Sequence, residues 1–360
     1  MATDRRTFLR VAATAMLLGP VRVIGADRTL RLLGCRSDAH SRHYATLFDS
    51  DGTTLLDVRL PARGHGFAVA PDHAGAVVFA RRPGAFMQAF DLRHVRAFDP
   101  IDAARGRHFY GHGVYSADGA LLFATENAFD SGTGRIGVYD VHNGYARIGE
   151  FDSHGVGPHE IRLMADGATL AVANGGIRTH PDRPRAKLNL DTMRASLAYV
   201  DSGSGALCER VETPTAWQRL SIRHIDVNAA GDVALAMQYE GPKTARPPLV
   251  ALHRRGEPMR WLQAPEDVQQ RLRNYCGSVT FARDGQTFAV SSPRGGLVMR
   301  WARDGHYLGE LAQRDVCGIA ASDDAMWYSD GSGVVRHVTS TADDAHRWPD
   351  TRWDNHLTAI

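Results

Sequence analysis

The chain has 360 residues, 43% of them apolar and 23% charged, which are ordinary globular values that exclude a disordered chain or a membrane bundle. A formal net charge of +2 gives no basic field for nucleic acid. The unusual count is 17 histidines, roughly double ordinary usage, beside only 4 cysteines.

Residues 1–26 read as an export leader. Arg5-Arg6-Thr7-Phe8-Leu9-Arg10 precedes a short apolar run, Val11 to Gly19, and Ile24-Gly25-Ala26 offers a small-residue cleavage point before Asp27. Paired arginines before such a run mark the twin-arginine route, and the run is too short for a permanent membrane anchor. Cleavage removes four arginines and one aspartate, so the mature chain, residues 27–360, carries a net charge of −1. The expected location is the periplasm, reached in the folded state with any cofactor already loaded. In that oxidising compartment cysteines are expected to be paired, metal-bound or buried.

The rest of the chain is a repeat. Each unit opens on His or Cys, runs as a short apolar strand, turns at Asp-Gly or a relative of it, and returns as a second apolar strand. The opening segments are HGFAVAPD from His65, HGVYSADG from His112, HEIRLMADG from His159, HIDVNAAGD from His224, CGSVTFARDG from Cys276 and CGIAASDD from Cys317. Ahead of them, LRLLGCR (30–36), YATLFDS (44–50) and TLLDVRL (54–60) supply three strands with no opening one. At the far end NHLTAI (355–360) is an opening strand with no unit of its own. Units of four short strands predict an all-β, seven-bladed β-propeller, its seventh blade closed by both termini.

In a propeller the first strand of each blade lines the central channel. The repeat therefore predicts that His65, His112, His159, His224 and His356, with Cys276 and Cys317, surround one mouth of that channel. The Cys276 copy is one residue longer, so Gly277 competes with Cys276 for the equivalent place. Imidazole and thiolate suit copper, zinc or ferrous iron, whereas calcium and magnesium need oxygen ligands that the ring positions lack. Cys276 and Cys317 lie on neighbouring blades and read equally as metal ligands or as a disulfide. Crowded imidazoles are expected to stay neutral near pH 7 and to lose metal on acidification.

The ends of the second strands return to the histidine face. Of the residues there, Glu126, Asn174 and Glu240 are expected to hydrogen-bond imidazole N–H groups, and His180 to contribute from the long connection Ile177 to Ala195. Arg81, Arg82 and Asp330 read as solvated loop ends. No nucleophile elbow, zinc-protease helix, P-loop or haem-attachment motif is present. The alternatives to a metal-binding propeller are a metal-dependent hydrolase or lactonase, in which Glu126 or Glu240 would matter, and a non-catalytic protein-interaction platform.

The leader, GHGVYSADG…LLFATEN, GVGPHEIRLMADG, ANGGIRTHPDRPRAKLNLDTM and SIRHIDV together resemble an uncharacterised family of exported bacterial propellers. Its members are often encoded beside imelysin-type periplasmic proteins and di-haem oxidoreductase-like proteins linked to iron uptake. The resemblance implies iron as the bound ion, with copper as the alternative, and periplasmic iron-uptake or redox proteins as partners. The architecture is also similar to the propeller of nitrous oxide reductase, where histidines bind a copper-sulfide cluster. This chain lacks that enzyme's cupredoxin domain, so the likeness bears on the histidine ring and not on the reaction.

Overall fold

The computed structural model describes residues 30–360 except 83, 184 and 185; the leader and its cleavage point lie outside the described residues. Seven four-stranded antiparallel sheets follow one another along the chain. The inner strands of blades 1 to 6 are Gly64–Val69, Arg107–Tyr115, Pro158–Leu163, Leu220–Val227, Ser278–Phe281 and Val316–Ala321. Blade 7 joins the two ends, with Arg352–Ala359 as its inner strand, followed outward by Arg31–Ser37, His43–Asp49 and Thr54–Leu60. That inner strand begins three residues before the NHLTAI segment, because Trp353 already pairs with Arg36.

The strand pattern follows from where each strand sits. Inner strands such as Gly64–Val69 are buried on both faces, whereas outermost ones such as Leu207–Glu212 (LCERVE) alternate between half-buried and exposed. Their sequences change accordingly, from near-continuous small and apolar residues to a mixture with several charged residues. Blades stack through large side chains: Phe79 of blade 1 meets Phe109 of blade 2 at 5.7 Å between ring centroids. The Asp-Gly turns work as the sequence suggests. In blade 2, Asp118 Oδ1 accepts from Ala120 N at 3.0 Å and Gly119 adopts φ +73°, which costs a glycine little. A single helical turn, Glu266–Arg271, bridges blades 4 and 5. Among the described residues no helix is long and apolar enough to cross a membrane.

One irregularity recurs and positions the site. The pairing of the inner strand slips between Gly64 and Phe67, Phe109 and Gly113, Pro158 and Glu160, Ile222 and His224, and Val316 and Gly318. Blade 7 slips opposite the segment between Trp353 and Leu357. A bulge leaves its extra residue unpaired and re-aims the side chain. Each of these slips takes in or adjoins the residue that opens the repeat: in blade 4 the unpaired residue is Arg223, directly before His224, and the pairing in blade 5 is regular.

Candidate metal centre

The five histidines form a closed cycle. Ring centroids lie 4.9 Å apart for His65 and His112, 5.3 Å for His112 and His159, and 4.7 Å for His159 and His224. His224 is 4.7 Å from His356, and His356 is 4.5 Å from His65. The contact between His224 of blade 4 and His356 of blade 7 closes the cycle across blades 5 and 6. Glycines make the approach feasible. A Cβ on Gly111, at φ +107°, would stand 2.4 Å from His65 Cδ2, and one on Gly66 would stand 2.8 Å from His112 Nδ1.

Two subsets bring one nitrogen from each ring within 4.8 Å of one another: His65, His112 and His356, and His112, His159 and His224. His112 belongs to both. Four of the rings also bury a nitrogen with no hydrogen-bond partner, namely His65 Nδ1, His112 Nε2, His159 Nδ1 and His356 Nε2. Each such orphan costs about 1–3 kcal/mol of desolvation unless a ligand or ordered water meets it, so four in one cluster mark a polar site able to take a ligand. Burial pushes His65, His112 and His159 well below the ordinary imidazole range, assisted by neighbouring histidines and arginines. His224 and His356 are depressed to about 3, again chiefly by burial. All five are therefore neutral near pH 7, the form that donates to a metal.

Carboxylates that the sequence reading passed over support the ring. Glu160 Oε2 lies 3.0 Å from His224 Nδ1 and accepts from Ile225 N at 3.2 Å, and its other oxygen meets Arg162 at 2.8 Å and lies 3.6 Å from His112 Nδ1. A carboxylate only accepts, so His224 carries its proton on Nδ1 and keeps Nε2 as a lone-pair donor. Burial pushes the Glu160 carboxyl up, and Arg162 opposes that shift. Asp354, 3.6 Å from His65 Nδ1, pairs with Arg63 and with Arg81 at 3.0 Å. The available signal was adjacency, since Glu160 follows His159 directly and Asp354 stands two residues before His356. Strand alternation would turn Glu160 away from the axis, and only the bulge brings it back beside the ring.

Two cavities adjoin the ring. His65, His159 and His224 line one of about 100 Å³ together with Arg82, Tyr110 and Arg223. His112 and His356 line one of about 410 Å³ with Glu160, Arg162 and Asp226.

Cys276 and Cys317 do not join the cycle. Both are free thiols, so they form no disulfide. Cys276 packs into the apolar core between blades 4 and 5 with Leu272 and Val279, where burial pushes its thiol up to about 12. The extra residue in that copy puts Gly277 at the equivalent place, against Cys317 Sγ. Cys317 lines a separate cavity beside Asp315 and Trp353, and burial raises its thiol further.

The four expected helpers also point elsewhere. Glu126 accepts from Tyr139 at 2.5 Å and Arg147 at 2.8 Å, further out in blade 2. Asn174 donates to Ser153 O at 2.8 Å, and Glu240 pairs with Lys187. His180 packs edge-on against Phe129, 5.2 Å away. Strand ends splay outward from the axis, so reaching the same face does not mean reaching the ring. Asp330, read as solvated, is buried and accepts from Ser332, Val334 and Gln313.

The propeller of this chain is similar to a solved structure of Kuenenia stuttgartiensis hydrazine synthase, with a TM-score of 0.63, 14% identity, and coverage of 87% of this chain and 94% of that one. At that identity the likeness concerns the fold alone. No curated protein matches the chain. Residues 58–360 match the family described as protein of unknown function (DUF1513), and with that span covering most of the chain and all but the start of the propeller, the protein belongs to that family.

Proposed function

We propose that the protein is a periplasmic transition-metal-binding propeller that holds its ion on the histidine cycle and serves iron acquisition or metal handling. The observation that carries this reading is the convergence of four buried, partnerless imidazole nitrogens on one axis, two histidine subsets sharing His112. His65, His112 and His356, or His112, His159 and His224, would supply three nitrogens and leave room for a further ligand. The absence of thiolates from the cycle removes the soft donors that favour cuprous copper, leaving a borderline nitrogen set. Iron is therefore the ion proposed, in line with the genomic company suggested by the family resemblance, and copper is the alternative. The carboxylates that a lactonase reading would use, Glu126 and Glu240, are engaged in ion pairs away from the cycle.

The test is metal analysis of protein exported with its own leader, followed by melting curves with Fe²⁺ under anaerobic conditions and with Cu⁺. The expected result is a bound transition ion and a raised Tm. A metal-free product whose Tm moves with neither ion overturns the reading. The double substitution His112→Asn with His159→Asn touches both subsets and is expected to abolish uptake while the ring still folds.

A further inference from the structure

The smaller cavity holds two arginines that have no ion-pair partner among the described residues. No ion pair among the described residues involves Arg82 or Arg223, although the neighbouring Arg81 is paired with Asp354. Arg223 is nine-tenths buried, and its Nε has no hydrogen-bond partner. Arg223 occupies the bulge of blade 4 directly before His224, so its guanidinium shares the cavity with the imidazole. Arg82 follows the second strand of blade 1, Gly75–Ala80, and lines the same space with Tyr110 and Tyr275. Glu240, an acid whose charge bears on both arginines, is already paired with Lys187.

An arginine cannot shed its charge, so the buried Arg223 and the half-buried Arg82, neither in an ion pair and both beside neutral imidazoles, form a site in want of an anion. Guanidinium forks match oxygen pairs better than halides. A volume of about 100 Å³ has room for one small anion with its hydrogen-bonding water.

We infer that the Arg82–Arg223 cavity binds a small oxyanion and presents it to the histidine cycle, with Tyr110 and Tyr275 as neutral hydrogen-bonding walls. The inference rests on the metal reading for its chemical purpose, since the anion would approach the ion from this side. Binding itself needs only the two arginines.

Isothermal titration of sodium nitrite and sodium sulfate into metal-free protein, in a buffer whose own anion is gluconate, tests it. At least one of the two is expected to bind in the millimolar range or tighter. Arg82→Gln and Arg223→Gln should each weaken it about tenfold or more, as loss of a charge-assisted hydrogen bond does. Arg59→Gln, on an exposed outer strand, should leave it unchanged. No binding of either salt to wild type, or wild-type binding in both arginine variants, overturns the inference. If the buried Arg223 variant does not fold, Arg82→Gln decides. The same samples titrated with Fe²⁺ and Cu⁺ separate the two readings. Anion binding without metal uptake defeats only the metal centre, and metal uptake without anion binding defeats only this site.

Discussion

Glu160 is the residue on which the orientation of the cycle turns. It fixes the Nδ1 proton of His224 and stands beside His112, the ring common to both nitrogen subsets. Partners that orient a ligating imidazole are worth about 10–100-fold in metal affinity. Glu160→Gln is therefore expected to weaken metal binding by that factor, read by competition with a chelating dye, while far-ultraviolet circular dichroism stays unchanged. Gly111 is the steric counterpart. At φ +107°, with His65 Cδ2 2.4 Å from where a Cβ would stand, Gly111→Ala must strain the backbone and displace the ring. A cost on the order of 1–3 kcal/mol in urea unfolding is expected, together with loss of metal uptake.

Among the elements, the inner strand of blade 7 has two tasks. It supplies His356 to the cycle and fastens the ring of blades by pairing with Arg31–Ser37. Its anchor is Trp353, buried against Phe48 at 5.1 Å and Trp348 at 5.3 Å and lying over Gly34. Trp353→Ala is expected to lose about 3–5 kcal/mol in urea unfolding, the usual cost of emptying a large aromatic site. Because the strand closes the whole molecule, the loss should appear as a lower midpoint for one cooperative transition and not as a separate early melting of blade 7. The recurrent bulge explains why one sequence position became a site. In a regular strand, neighbours alternate between faces; in a bulge, His159 and Glu160, or Arg223 and His224, serve the same centre from adjacent positions.

For the whole molecule, the five neutral imidazoles of the cycle make stability depend on pH in one direction. Above the ordinary imidazole value of 6.5, folded and unfolded chains bind the same number of protons at these sites. As pH falls below 6.5 the unfolded histidines take up protons and the folded ones do not, so stability falls until the folded groups titrate, near 3 for His224 and His356. The slope is up to about 1.4 kcal/mol per imidazole per pH unit. Melting curves of metal-free protein should show Tm dropping steeply from pH 7 to pH 5. The His112→Asn, His159→Asn double variant should drop less over that range, since two of the five groups are gone. An equal drop in both proteins would show that the cycle does not govern acid sensitivity.

The repeat of turn signals and apolar runs was enough to determine seven blades, the sharing of the last one between the termini, and the equivalence of the five histidines. Each of these follows from local patterning copied along the chain, and local patterning is what a linear sequence records directly. It could not show that the opening position is a bulge, because a bulge exists only in the pairing between two strands. The bulge decided that Glu160 and Arg223 stand at the ring; in blade 5, where the pairing is regular, the extra residue leaves Cys276 in the core, and closure of the ring lets His224 and His356 meet past two blades that contribute no imidazole. Burial did the rest: Arg81, Arg82 and Asp330 looked like solvated loop ends in the sequence, and only the closing of the ring around its axis buried Asp330 and half-buried the two arginines.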